Sequence, residues 1–264
     1  MNIFIREMKA HRKSLIIWGI FIIFMIASGM GKFSTVYSGG SINDLFNKMP
    51  KALQAIMGSG SLDLSKVSGY YGMLFLYLVL MATTHAAMLG ADIISKEERD
   101  KTFEFLMVKP VSRGKIITAK LLAALVNIVI FNIINFIFSI IMVSFYAEDV
   151  PMLGNITILM IGMFILQLIF LLIGTSIAAI SKNPKTATSL STGILLVTFM
   201  LSVIIDMNEK LINLKYLTPF KYYEAKDLMY GGGLDPVFVT LSAVIIAILI
   251  VVTYVSYKKR DLSL

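Results

Sequence analysis

Residues 156–180 read ITILMIGMFILQLIFLLIGTSIAAI and contain no Asp, Glu, Lys or Arg. A hydrocarbon core about 30 Å thick needs roughly 20 apolar residues per helical crossing, so this run is long enough to span one. A barrel strand would alternate apolar and polar positions, whereas here Leu, Ile, Met and Phe follow one another without alternation. The run predicts a helix in lipid, and five others share its character: 14–30, 70–94, 116–146, 186–205 and 237–257. The expected fold class is an all-α integral membrane protein, a single transmembrane domain over residues 1–264 with six passes. Asn183-Pro184 and Asp235-Pro236 each offer a capping side chain followed by a proline suited to a first helical position, and so predict where the last two passes begin.

The composition agrees. Of 264 residues 57% are hydrophobic and 15% charged, well below the quarter or so of charged residues in soluble domains. The net charge of +8 would suggest a nucleic-acid partner in a soluble chain, but the six passes sort it. Sixteen of the 24 Lys and Arg, with seven acids, fall on the side that holds both termini; eight, with nine acids, fall on the other. Short loops rich in Lys and Arg stay in the cytoplasm. Both termini are therefore expected inside the cell membrane, with about +9 facing anionic lipid head groups and no nucleic acid needed to balance it. Arg6, Lys9, Arg12 and Lys13 ahead of an apolar run, with Ala27-Ser28-Gly29 behind it, have the outline of a signal peptide. Five later passes favour a retained first helix, which also keeps both termini on one side.

Little in the chain suits covalent chemistry. There is no cysteine, and the two histidines, His11 and His85, have no metal-ligand spacing. No phosphate loop, dinucleotide fingerprint or nucleophile elbow is present. The expectation is a non-enzyme without catalytic, cofactor-binding or metal-binding residues of its own, whose work is driven by a partner or an ion gradient.

Outside the lipid, residues 1–13 place Phe4, Ile5 and Met8 among basic residues, the pattern of an interfacial helix. Residues 206–235 mix Tyr216, Pro219, Phe220, Tyr222 and Tyr223 with lysines, which fits either a re-entrant helix pair or a surface segment packed on the outer leaflet. The long inner loop runs from Ser95 to Lys115. Ser95 and Glu98 have capping-box spacing; Phe103, Leu106 and Met107 form an apolar stripe; Glu97, Lys101 and Glu104 form a charged face; and Pro110 ends the pattern. A short amphipathic helix over about 95–108 is expected, and by periodicity alone it need only cover the end of the bundle.

This loop carries a resemblance. Glu98-Arg-Asp-Lys-Thr-Phe-Glu-Phe-Leu106, Lys109-Pro-Val-Ser-Arg113 and Lys120-Leu-Leu122 look like the inner-loop motif of ABC-2 type permeases, the membrane subunits of type V ABC exporters. The likeness extends to the basic N-terminal segment, Leu217-Thr-Pro-Phe220 and the Tyr257-Lys-Lys-Arg-Asp261 ending, while Lys101 and Ala119 stand where the family usually has glycine. The resemblance implies an N-terminal elbow helix and a cytoplasmic coupling helix at 95–108. That helix would dock on a separate ABC ATPase dimer through Glu97, Glu98, Arg99, Lys101, Thr102, Phe103, Glu104, Phe105 and Leu106. It further implies ATP and Mg bound on that partner, and a second permease as homodimer or heterodimer.

Within the passes, Ala82, Ala86 and Gly90 recur every four residues, the spacing of a close helix contact. Gly174 with Ala178 and Ser189 with Gly193 repeat it. Polar residues are few: His85, Asp92, Asn127, Asn132, Asn135 and Gln167 stand out. Ala82, His85, Ala86, Gly90, Asn132 and Asn135 are the candidates for a path or helix contact; Asp92, near a helix end, is expected to pair with Lys96. The shortage of midplane charge, with 17 Met and 17 Phe, favours a hydrophobic or amphipathic cargo, such as an antimicrobial or toxin peptide, an antibiotic or a drug. Two other readings stand beside export: a gradient-driven transporter using His85 or Asp92, and a non-transporting anchor or sensor.

Overall fold

The computed structural model describes residues 3–33, 46, 48–58, 62–101, 111–147, 152–181 and 183–259. Eight α-helices are found among them: α1 Ile3–Gly31, α2 Lys51–Met57, α3 Val67–Arg99, α4 Arg113–Ser144, α5 Leu153–Ile180, α6 Ala187–Met207, α7 Ala225–Tyr230 and α8 Pro236–Lys259. All but α2 and α7 are long and apolar enough to cross a membrane. Two 3₁₀ segments, Glu209–Leu217 and Pro219–Lys221, lie between α6 and α7.

Burial separates a central pair from its surround. In α3 and α5, 61% of the most apolar window is buried, against 22% in α1 and 17% in α8, so α3 and α5 form the axis and the others present a wide face to lipid. The axis forms because glycines remove the side chains that would hold the two backbones apart. A methyl built on Gly90 would lie 2.1 Å from the Leu171 carbonyl oxygen, and one on Gly174 would lie 2.4 Å from Ala87 O and 2.8 Å from Ala91 N.

Around this axis, polar groups join neighbours where lipid would leave them unsatisfied. Thr253 of α8 meets Thr175 at 3.1 Å and Ser176 at 2.9 Å on α5. Asn132 Nδ2 of α4 donates to Gln167 Oε1 of α5 at 2.5 Å.

Three boundaries differ from the sequence reading. The N-terminal amphipathic segment is helical but runs into the first pass without a break, because residues 3–18 contain neither glycine nor proline. Its buried Ile3, Glu7 and His11 continue along the chain as Gly19, Ile22, Ile26 and Met30. Ser95 starts no new helix: it lies inside α3, buried, and its hydroxyl donates to Ala91 O at 2.7 Å, the back-bond a serine makes within a helix. The second pass therefore extends to Arg99, where Lys96 and Arg99 suit a C-terminal end. Asn183 does not cap α6; its Oδ1 accepts from Lys185 N at 3.0 Å, making a turn, and the helix begins at Ala187. Asp235 and Pro236 do open α8, with Asp235 Oδ1 accepting from Val237 N at 2.8 Å.

Residues 208–235 close the end of the bundle away from the termini. Phe220 inserts between Phe170 of α5 and Phe199 of α6, with ring centroids 5.2 and 5.4 Å away. Thr218, fully buried, donates to Thr198 O at 2.8 Å, and Tyr222 stacks on Phe238 at 4.9 Å. In place of a re-entrant helix pair, the structure gives a short, side-chain-anchored cap of 3₁₀ turns with one brief helix. Burial, followed by the neighbouring Tyr223, pushes the Tyr222 hydroxyl up to about 12.

The glycine crossing is directly testable. Gly90→Ala and Gly174→Ala are expected to lower the melting temperature of the detergent-purified protein sharply. Gly193→Ala, whose added methyl meets nothing within 4 Å, is expected to leave it unchanged. Equal melting of all three in a thermal size-exclusion assay would argue against the backbone contact.

Candidate functional site

At the end that holds both termini, α1, α3 and α4 bring charged side chains together in a place where unpaired charge is costly. Arg6 donates to Glu7 Oε1 at 2.9 Å and to Glu97 Oε1 at 2.6 Å. Lys120, fully buried on α4, binds Glu97 Oε2 and the Ile93 carbonyl oxygen. Glu7 is fully buried, and its Oε2 has no hydrogen-bond donor, facing His11 Nε2 at 3.7 Å and Lys96 Nζ at 3.9 Å. His11 Nδ1 lies 3.8 Å from Asp92 Oδ2, and Arg99 binds both Asp92 and Asp100. One network thus ties three helices at the point where α3 leaves the bundle.

Just beyond, the chain turns sharply. Asp100 N–H returns to Lys96 O, Lys101 N–H returns to Glu98 O at 3.2 Å, and Lys101 has φ 55°, in the left-handed region. A side chain is disfavoured there and glycine is not. This is the position at which the resemblance implies glycine. At the start of α4, Ser112 is the N-cap, and its Oγ accepts from Lys115 N at 3.4 Å. Arg113 Nη1 donates to Lys258 O at 3.0 Å, satisfying a carbonyl in the last turn of α8. The Ser112-Arg113 pair of the motif therefore caps one helix and ties down the end of another.

These positions revise several sequence assignments. Glu97, grouped with an exposed docking face, points inward; with two cations bound at 5% exposure it has no surface to dock with. Asp92 pairs with Arg99 rather than Lys96, because Lys96 faces Glu7. Glu98 is half-buried, while Arg99 and Lys101 are exposed. Thr102, Phe103, Glu104, Phe105 and Leu106 lie outside the described residues.

The candidates deeper in the bundle fall into separate places. Ala82, Ala86 and Gly90 are buried on α3, and Gly90 abuts α5. His85 is enclosed by rings, 5.5 Å from Trp18 of α1 and 4.9 Å from Phe131 of α4, and its Nδ1 has no hydrogen-bond partner. Asn132 joins Gln167, while Asn135 bonds Met163 Sδ at 3.1 Å and accepts from Ser139. Asn132 and Asn135 therefore stitch α4 to α5.

Sequence reading missed the network itself. Its signals were present: a lysine one turn inside an apolar helix, and Glu7 with His11 four residues apart on a helix bound for lipid. Chemically the cluster neutralises itself, and among the described residues no group of three or more His, Asp or Glu could hold a metal ion. What it does is structural: Glu97 joins the end of α3 to Arg6 of α1 and to Lys120 of α4.

In comparison with known proteins, the family described as ABC-2 family transporter protein matches residues 1–262. No curated protein sequence matches the chain.

Two sets of variants test the geometry. Lys120→Met leaves Glu97 with Arg6 alone and is expected to destabilise the protein by about 1–3 kcal/mol, with part of that recovered in Glu97→Gln/Lys120→Met; strictly additive melting shifts would show that the two do not interact. Lys101→Gly is expected to match or exceed the wild-type melting temperature, and Lys101→Val to fall below it by the equivalent of about 1 kcal/mol. The reverse order would contradict the left-handed turn.

Proposed function

Because the chain belongs to the ABC-2 transporter family, the multi-pass membrane permease of an ABC transporter, we propose that it couples ATP hydrolysis on a separate ATPase dimer to export of a hydrophobic or amphipathic substrate. One observation carries the reading: α3 runs unbroken from the glycine crossing with α5 to the charge network at Arg99. A rigid helix at about 1.5 Å per residue that is packed on the axis at one level and tied to α1 and α4 at another is a suitable lever between an ATPase below and a pathway above. The segment after it, through Thr102, Phe103, Glu104, Phe105 and Leu106, is the docking element, with Glu98, Arg99 and Lys101 at its base; Glu97 transmits from inside.

In this reading both termini face the cytoplasm, ATP and Mg are held by the partner chain, and a second permease completes the pathway in the cell membrane. The scarcity of midplane charge supports an apolar or amphipathic cargo, peptide or drug-like. His85, enclosed by Trp18 and Phe131, is assigned to packing, and Ala82, Ala86 and Gly90 to the axis.

Charge reversal at Glu98 together with Glu104, or Phe105→Ala, is expected to lower both co-purification of the ATPase and transport by reconstituted complex, while the permease alone melts normally. An unchanged complex yield and unchanged transport would sink the docking assignment.

A further inference from the structure

Between α2, α3, α6 and the 208–235 cap lies a cavity of about 320 Å³, within the size range of small-molecule sites. Its inner wall is apolar: Phe75 and Val79 come from α3, and Phe199 and Val203 from α6. Its polar side is built at the end of α6 and the start of α7, where Asp206 and Glu224 line the cavity. Both carboxylates converge on a single buried ammonium, that of Lys221. Lys226 Nζ stands 3.2 Å from Glu224 Oε2 and is 43% exposed on its side chain; Lys51 also borders the cavity and is exposed. Lys51 and Lys226 lie at the exposed rim, while the fixed groups are two carboxylates and one buried ammonium, so the charge held in place beside the apolar wall is acidic by one unit. The neighbouring Asp227 carboxyl lies above its ordinary range, through burial and then the charge of Glu224, as expected where acids are crowded.

We propose that this cavity is a binding site for amphipathic organic cations, the apolar body against Phe75, Val79, Phe199 and Val203 and the cationic head at Asp206 and Glu224. Each carboxylate offers about four acceptor sites, so Lys221 on Asp206, and Lys221 with Lys226 on Glu224, leave room for a further positive group. An anion of the same shape meets two carboxylates, while the one fixed cation, Lys221, is already taken up by both of them. The inference deepens the export reading by naming its cargo class, and rests on that reading for transport alone.

The test uses the full chain in lipid nanodiscs, without ATPase, with 4-phenylbutylammonium and 4-phenylbutanesulfonate as probes of similar size whose heads carry opposite charge. Equilibrium dialysis against empty discs is expected to show saturable binding of the cation beyond partitioning, and none of the anion. Val203→Trp, which fills the cavity, abolishes it; Met200→Trp, on the lipid-facing side of α6, does not. Glu224→Gln keeps the volume and weakens cation binding about tenfold, as removal of one charged interaction with the ligand should; it decides the matter if the tryptophan variant fails to fold. Equal binding of the two probes, or cation binding unaffected by Glu224→Gln, overturns the site. Cation binding that never alters ATP hydrolysis by the reconstituted complex leaves the site standing and counts against export. Coupled hydrolysis without cation binding does the opposite.

Discussion

The approach of α3 to α5 through Gly90 and Gly174 is the contact on which the rest of the bundle is hung. In water, apolar burial would drive two such helices together; in lipid that drive is absent, and close backbone contact with its dispersion energy takes its place. Every other long helix packs on one or both of these two. The glycines also fix a distance: with no side chain between them, the backbones cannot slide without meeting a carbonyl. The central pair therefore behaves as one solid element.

Away from that crossing the two ends are held by different means. The basic end is cross-linked by charge, with Arg6, Glu7, Glu97 and Lys120 spanning three helices. The opposite end is closed by aromatic insertion, with Phe220 wedged between α5 and α6 and Tyr222 on Phe238. Charged contacts depend steeply on distance and orientation and can exchange partners, whereas a ring seated among rings yields only by leaving. In the proposed reading the charged end is the one that meets the ATPase, and contacts that can be redistributed suit that role.

Much of this was legible in the residues, for a definable reason. Lipid imposes a length and polarity rule so strict that the six spans follow from residues 14–30, 70–94 and their successors, and small residues spaced by four mark Gly90 and Gly174. What sequence could not show was which polar groups meet. Ser95 with Glu98 has the spacing of a cap, but a serine also bonds back inside a helix, and the buried surface offered by Ile93 and Ile94 decides between them. Glu97 looks like a surface residue until Lys120, from another pass, reaches it. The cavity beside Glu224 needs four elements at once, and no local pattern encodes it.

The turn at Lys101 has an energetic direction. A lysine held at φ 55° lies about 1 kcal/mol above the same residue at negative φ, a difference that glycine would erase. The folded protein thus keeps a small quantity of backbone strain just past the end of α3. Breaking the bond from the Lys101 N–H to the Glu98 carbonyl would let that strain relax. The strain therefore lowers the cost of opening this turn by about 1 kcal/mol, and the side chain at this one position sets that sum.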